Sequence, residues 1–255
     1  MYPAEHFINT KQQLALLEVI EQSPLATLLF FDNNNELDIS HIPFHFTDNT
    51  IVKIKENVSE SKSDSDSELL IGHELMAHVS NQHPLAQHLK GVANNGDDYK
   101  DDYKENAKDK NSITLIFHGE DDYISPNDVS AEHSSMQKVP TWNYAKVHVS
   151  GQVTEVTDID EKYQHMLISS DHFEQVKVQQ KITSPNKQVV WSLASAPSHA
   201  IEHMLKAITI FTFTISRIEG RFKLSQNKTA ALRAQIAEQV TRRNKAILAK
   251  QITGI

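Results

Sequence analysis

The sequence predicts an α+β protein, a β-barrel with helices at its periphery. Three observations point there. Short runs of alternating apolar side chains recur, as at Ile113, Leu115 and Phe117, the period-2 signature of half-buried strands. Turn-forming clusters such as Asp32-Asn33-Asn34-Asn35 separate them. Helical spacing is confined to a few segments, among them Leu14, Leu17 and Ile20.

Taken in order, Phe7 to Gln22 reads as a helix with Asn9 or Thr10 as its cap, and Ser23-Pro24 stops it, because the residue before proline avoids helical torsions. Leu25 to Phe31 is a mostly buried strand and Leu37 to Phe46 its partner, interrupted at Pro43. Ile51 to Lys55 is expected to pair next. Glu56 to Glu68, rich in Ser, Asp and Lys, buries nothing and reads as a mobile hairpin tip. Leu69 to Val79 is a strand and Pro84 to Leu89 a short helix. Asn94 to Asn111 is a second polar insertion. Ser112 to His118 and Trp142 to Val156 are strands, Asp160 to Ser170 and Ile201 to Ile208 helices, and Thr209 to Glu219 a β-branched strand. A single terminal helix is expected from Thr229 to about Lys250.

Composition narrows the class. The chain has 255 residues, 39% of them hydrophobic, and no cysteine. Disulfides, thiolate metal sites and cysteine nucleophiles are therefore excluded. The longest apolar run, Ile208 to Ile215, is broken by threonines and too short for a membrane span. The start of the chain lacks a basic n-region and an apolar h-region. The expectation is a soluble cytoplasmic protein. Net charge is -8, which opposes broad attraction to nucleic acid. The exception is Lys228 to Lys250, where six cations face one acid. Arg242, Arg243 and Lys245 in that stretch are candidates for DNA contact, or an ordinary solvated helix end.

Most catalytic signatures are missing. His73 and His78 flank Glu74, but the zinc-protease helix needs histidines four apart and these are five apart. His83 and His88 share that spacing. No metal site is expected. There is no Gly-x-Ser-x-Gly elbow, phosphate loop or dinucleotide fingerprint. The most distinctive stretch is Val139-Pro140-Thr141-Trp142-Asn143-Tyr144, followed by Val147 to Gly151. Alternation puts Trp142 and Tyr144 on one face, with Thr141 and Asn143 opposite. It reads either as a wall for a planar ring such as a flavin isoalloxazine, or as a core strand whose aromatic tips are satisfied by neighbours.

These pieces, in this order, resemble the PaiB-like group of FMN-binding negative transcriptional regulators. The resemblance rests on Met1-Tyr2-Pro3, Pro24 to Leu28, His41-Ile42-Pro43, Ile116-Phe117-His118-Gly119 and Tyr123-Ile124-Ser125-Pro126. Val139 to Tyr144, His148, Trp191, Ala196-Pro197, Ile218-Glu219-Gly220 and Lys223 to Asn227 complete it. Three places depart from the group's pattern: Asn81 stands where a basic residue is usual, His83 where an asparagine is usual, and Asn127-Asp128 replaces a Trp-Tyr pair.

The resemblance implies a flavin-reductase-like split β-barrel over 1–175, with polar insertions at 56–68 and 94–111. A carboxyl-terminal extension, 176–255, would pack on the barrel. It also implies FMN as cofactor, a homodimer with flavin between subunits, and a regulatory rather than enzymatic role. The cofactor contacts it suggests are Thr27, His41, His78, Ser125, Thr141, Trp142, Tyr144, Lys223, Ser225, Gln226 and Asn227. Lys223 is the cation expected at the phosphate. For Lys223 to Asn227 the competing reading is capping of the terminal helix. Alternative functions are a cofactor-free interaction scaffold, or an FMN-dependent oxidoreductase using reduced nicotinamide.

Overall fold

The computed structural model describes residues 7–9, 13–60, 69–94, 112–130, 139–180 and 190–254. Its centre is one antiparallel sheet of seven strands: β1 (Ile8–Asn9), β2 (Leu25–Phe31), β3 (Leu37–Pro43), β4 (Glu74–Ser80), β5 (Ser112–Ile124), β6 (Thr141–Val156) and β7 (Ile208–Lys223). The path runs β1-β7-β6-β5-β2-β3, and β4 pairs with the first half of β7. Immediately after β3, His45 bridges to Met76 of β4, with backbone hydrogen bonds of 3.3 and 2.9 Å. That bridge turns six strands into a split barrel and leaves β1 outside the ring, on the second half of β7.

The strands form where the sequence alternates. Ala26, Leu28 and Phe30 of β2, Ile113, Leu115 and Phe117 of β5, and Ala145, Val147 and Val149 of β6 all face the interior. Phe211, Phe213 and Ile215 of β7 do the same. Fully buried Phe44 stands edge-on to Phe117, Phe211 and Phe213, with centroids 6.4, 6.0 and 6.1 Å away, the geometry aromatic quadrupoles prefer. A bulge separates Ser150 from Gly151 where β6 meets β7. A side chain on Gly151 would meet the Thr214 carbonyl oxygen and the Phe213 ring, so glycine permits the close approach there.

Helices close the ends. Leu16, Leu17 and Ile20 of α1 (Gln13–Gln22), and Leu232, Ile236 and Val240 of α6 (Ala230–Arg242), join the main core. So do Leu248 and Ile252 of the helix that follows, α7 (Ala246–Thr253). Two more helices, α4 (Ile159–Gln180) and α5 (Ser198–Ala207), form a second cluster with Ile210 of β7 and Val156 of β6. This layer covers the outer wall around β4 and the start of β7. Two further helices are α2 (Asp48–Glu60) and α3 (Pro84–Asn94).

Several expectations are corrected. Ile51 to Lys55 is part of α2, not a strand; Ile51 and Ile54 are both buried, a helical spacing rather than an alternating one. The first helix starts at Gln13, and Ile8–Asn9 pairs instead with Gly220 and Arg221. Leu69 to Gly72 is a turn before β4, with Gly72 at φ 81. The terminal helix is two helices broken at Asn244, φ 62, a left-handed conformation that asparagine tolerates. The barrel does not stop at 175, since β7 pairs with β1, β4 and β6. Long-range pairing, invisible to local spacing, draws it in. Met1-Tyr2-Pro3, Thr10, 61–68, 95–111 and 131–138 lie outside the described residues.

Phe44 has no exposed surface and three aromatic partners. Phe44→Ala is expected to cost about 3–5 kcal/mol, read as a lowered urea midpoint with an unchanged slope.

Candidate functional site

Among the described residues, helices cover one part of the outer wall and leave the remainder bare. On the bare part, outward positions of β3, β2, β5, β6 and β7 fall into rows fixed by register. One row is His41, Thr27, Ile116, His148 and Glu219; the next is Pro43 and Leu25, then His118, Lys146 and Arg221. Thr27 joins two imidazoles: its Oγ1 lies 3.2 Å from His41 Nδ1 and 2.8 Å from His118 Nε2. Leu25, Phe31, Leu37 and Ile39 border this group and are 58%, 49%, 52% and 57% exposed.

The charges on the wall are arranged in pairs. Glu219, 8% exposed, accepts from Arg217 at 3.1 Å and pairs with Arg221. Lys146 Nζ donates to Asp121 Oδ2 at 2.7 Å and to the Gly119 carbonyl at 2.8 Å. The bulge between His118 and Asp121 brings that carbonyl into reach. His118 is held below its ordinary pKa by burial first, then by Lys146 and His41, against Asp121. His148 is lowered by burial, Arg221 and His118, against Glu219.

Thr27 and His41 stand together. Trp142 and Tyr144 are on the same outer wall further along β6. Trp142 is 54% exposed and meets Tyr123 edge-on at 5.8 Å, while Tyr144 is opposite Lys223. Lys223 Nζ donates to Thr141 Oγ1 at 2.6 Å and lies 6.0 Å from the Phe7 ring centroid. The others serve the fold. Ser125 caps the 3-10 turn Pro126–Asp128: its Oγ accepts from Asn127 N, and its N donates to Asp128. Ser225 exchanges hydrogen bonds with buried Asn143 at 3.0 and 3.2 Å. Gln226 accepts from Leu224 N and donates to the Phe222 carbonyl. Asn227 does not cap the terminal helix; Thr229 does, accepting from Leu232 N. His78 is opposite Ile210, and facing residues share a side of the sheet. It therefore stands on the wall covered by α4 and α5, with its pKa lowered by burial.

His118, His148, Lys146, Glu219, Arg217 and Arg221 were missed as site residues by sequence reasoning. Three strand registers, β2 on β5, β5 on β6 and β6 on β7, place them on the same outer wall as Thr27. The one local signal was alternation continuing past Tyr144 to Lys146 and His148. Among the described residues no group of three or more His, Asp or Glu side chains could hold a metal ion.

A histidine whose folded pKa lies below its ordinary 6.5 binds fewer protons folded than unfolded between those two values. Stability is therefore expected to fall as pH drops from about 6.5 through that window. Urea midpoints across the range check this, and His118→Asn with His148→Asn should weaken the dependence, leaving the share of His78, His83 and His165.

A family model described as "Putative FMN-binding domain" matches residues 1–217. An uncharacterised protein of Aspergillus fumigatus is 26% identical over 251 residues, covering 91% of this chain and 88% of its own length. The Bacillus subtilis Protease synthase and sporulation protein PAI 2 is 28% identical over 128 residues, covering 50% of this chain and 54% of that one. Among solved structures, the flavocytochrome Anf3 of Azotobacter vinelandii has a TM-score of 0.49 at 12% identity, over 88% of this chain and 72% of that one. The FAD and heme binding protein of Mycobacterium smegmatis has a TM-score of 0.44 at 12% identity, over 85% and 73%. The chain belongs to the FMN-binding domain family of PaiB-like proteins.

Proposed function

We propose that the protein is a flavin-binding regulator: FMN lies on the bare outer wall, a second copy of the chain covers it, and the loaded dimer acts on transcription. One observation carries this reading. The wall sets hydroxyl and imidazole groups, Thr27, His41, His118 and His148, beside the exposed apolar side chains Leu25, Phe31, Leu37 and Ile39. A flat ring with polar edges needs both kinds of surface, and a second subunit would take the apolar remainder out of water.

The donor set fits FMN in kind. Arg217 and Arg221 on β7 offer guanidinium forks, which bind phosphate oxygens two at a time. They supply what position 81 lacks. Lys223, which donates to Thr141, would be the third cation, and Arg217 and Arg221 are likewise engaged, with Glu219. The imidazoles and Thr27 would orient the ring edge, and Trp142 or Tyr144 would border it. When bound, the flavin supplies the redox chemistry and the protein supplies position and proton control.

The regulatory part draws on a relative whose name carries the words protease synthase and sporulation. Arg243 is bound to Asp122 at 2.7 Å and to Asp128 at 3.0 Å, and Arg242 to Glu238 at 2.6 Å. Their charge is largely offset locally, so a partner protein is the favoured route to DNA. Lys245 and Arg242 carry the direct alternative.

Titrating the protein with FMN should quench flavin fluorescence saturably at micromolar concentration, while light scattering gives a dimer mass. Ile39→Asp should yield monomer and abolish quenching. Absence of quenching at millimolar FMN would overturn the reading. In mobility shifts, the pair Arg242→Glu and Lys245→Glu should leave any regulation intact if a partner carries the DNA contact. Loss of a salt-sensitive shift in that variant would make the contact direct.

A further inference from the structure

We propose that His41, Thr27 and His118 form a proton relay across three strands of the bare wall, able to deliver a proton to a ligand on that wall or remove one from it. A threonine oxygen carries one hydrogen and accepts through its lone pairs. Two imidazole nitrogens meet that oxygen, His41 Nδ1 at 3.2 Å and His118 Nε2 at 2.8 Å. In the neutral group one ring donates to Oγ1 and the other accepts from it, so the tautomers are complementary.

The transfer balances. Begin with His118 Nε2–H donating to Oγ1, and the Thr27 hydroxyl donating to His41 Nδ1. A proton arriving at His118 Nδ1 makes that ring cationic. The Nε2 proton then passes to Oγ1, the hydroxyl proton passes to His41 Nδ1, and the proton on His41 Nε2 leaves. One proton enters and one leaves, with both tautomers inverted. The reverse passage restores the starting state. No electron moves.

The surroundings suit the task. The three side chains come from β3, β2 and β5, whose pairing fixes their spacing. Charged and titratable groups facing His118 are Lys146, Asp121, His41 and His148. Burial first, then Lys146 and His41, weigh against a permanently cationic ring at His118, with Asp121 opposing them, which favours the neutral form that a relay requires. His41 and His118 are both exposed, so their outer nitrogens are open to a ligand or to water. The ligand class that uses such a device gains or loses a proton with its electrons, as a flavin ring does. The identity of that ligand rests on the FMN reading; the relay itself does not.

The test is nitrogen NMR of the imidazoles in the full-length protein, without and with FMN. A working relay interconverts two tautomer pairs. The Thr27-facing nitrogens of both rings should therefore resonate between the bare and protonated positions. Thr27→Ser should keep this behaviour, and Thr27→Val should abolish the averaging. A fixed donor ring and a fixed acceptor ring would mean a static hydrogen bond and overturn the proposal, as would identical spectra in the wild type and Thr27→Val. Averaging in a protein that fails to bind FMN would sink the flavin reading and leave the relay standing. With FMN bound, proton uptake after photoreduction should slow by about a hundredfold in Thr27→Val.

Discussion

The architecture depends on the turn of chain at Phe44 and His45. Phe44 points inward and fills the barrel between three other phenylalanines. Its neighbour closes the wall by pairing with Met76. His45 also reaches outward, with Nε2 2.7 Å from Ser169 Oγ on α4 and Nδ1 2.9 Å from the Phe46 carbonyl. Two successive residues thus join interior packing, barrel closure and the attachment of the longest helix. Since packed interiors tolerate little change in volume, the core and the seam are fixed together.

Closure at that seam decides where function can sit. The helical layer takes the wall at β4 and the start of β7, burying Ile210 and Val156 against Met166, Ile201 and Leu205. Among the described residues, no helical cluster of that kind lies over the outward side chains of β2, β3 and the first half of β5. Polar groups then gather there at the expense of helix contacts, while Leu25, Phe31, Leu37 and Ile39 remain in water. That arrangement is costly for an isolated chain and reasonable for one that meets a ligand or a copy of itself. The placement of Arg243 follows similar logic: it bonds Asp122 and Asp128, fixing the end of α6 to the strand and turn below.

Legibility in the sequence varied with the range of the interaction. β5, β6 and β7 were readable from their alternation, and β2 as a mostly apolar run set between Ser23-Pro24 and the Asp32 turn. The helix α2 was misread because Ile51-Val52-Lys53-Ile54 satisfies a short strand as easily as a helical face. The break at Asn244 carries no glycine or proline to announce it. Ser125, Ser225 and Gln226 were credible ligand groups by type, yet their hydrogen bonds go to a turn, to Asn143 and to nearby backbone. Polar side chains near chain reversals commonly satisfy local backbone first.

By itself the sequence determined the alternating strands, the absence of cysteine chemistry and the family to which the chain belongs. Each of these follows from residue identity and near-neighbour spacing. Only the tertiary structure decided that Thr27 lies between His41 and His118, residues 14 and 91 positions away. Only the tertiary structure exposed that wall while helices covered the other. Strand register and helix docking are settled by contacts between distant segments, which local patterns constrain without specifying.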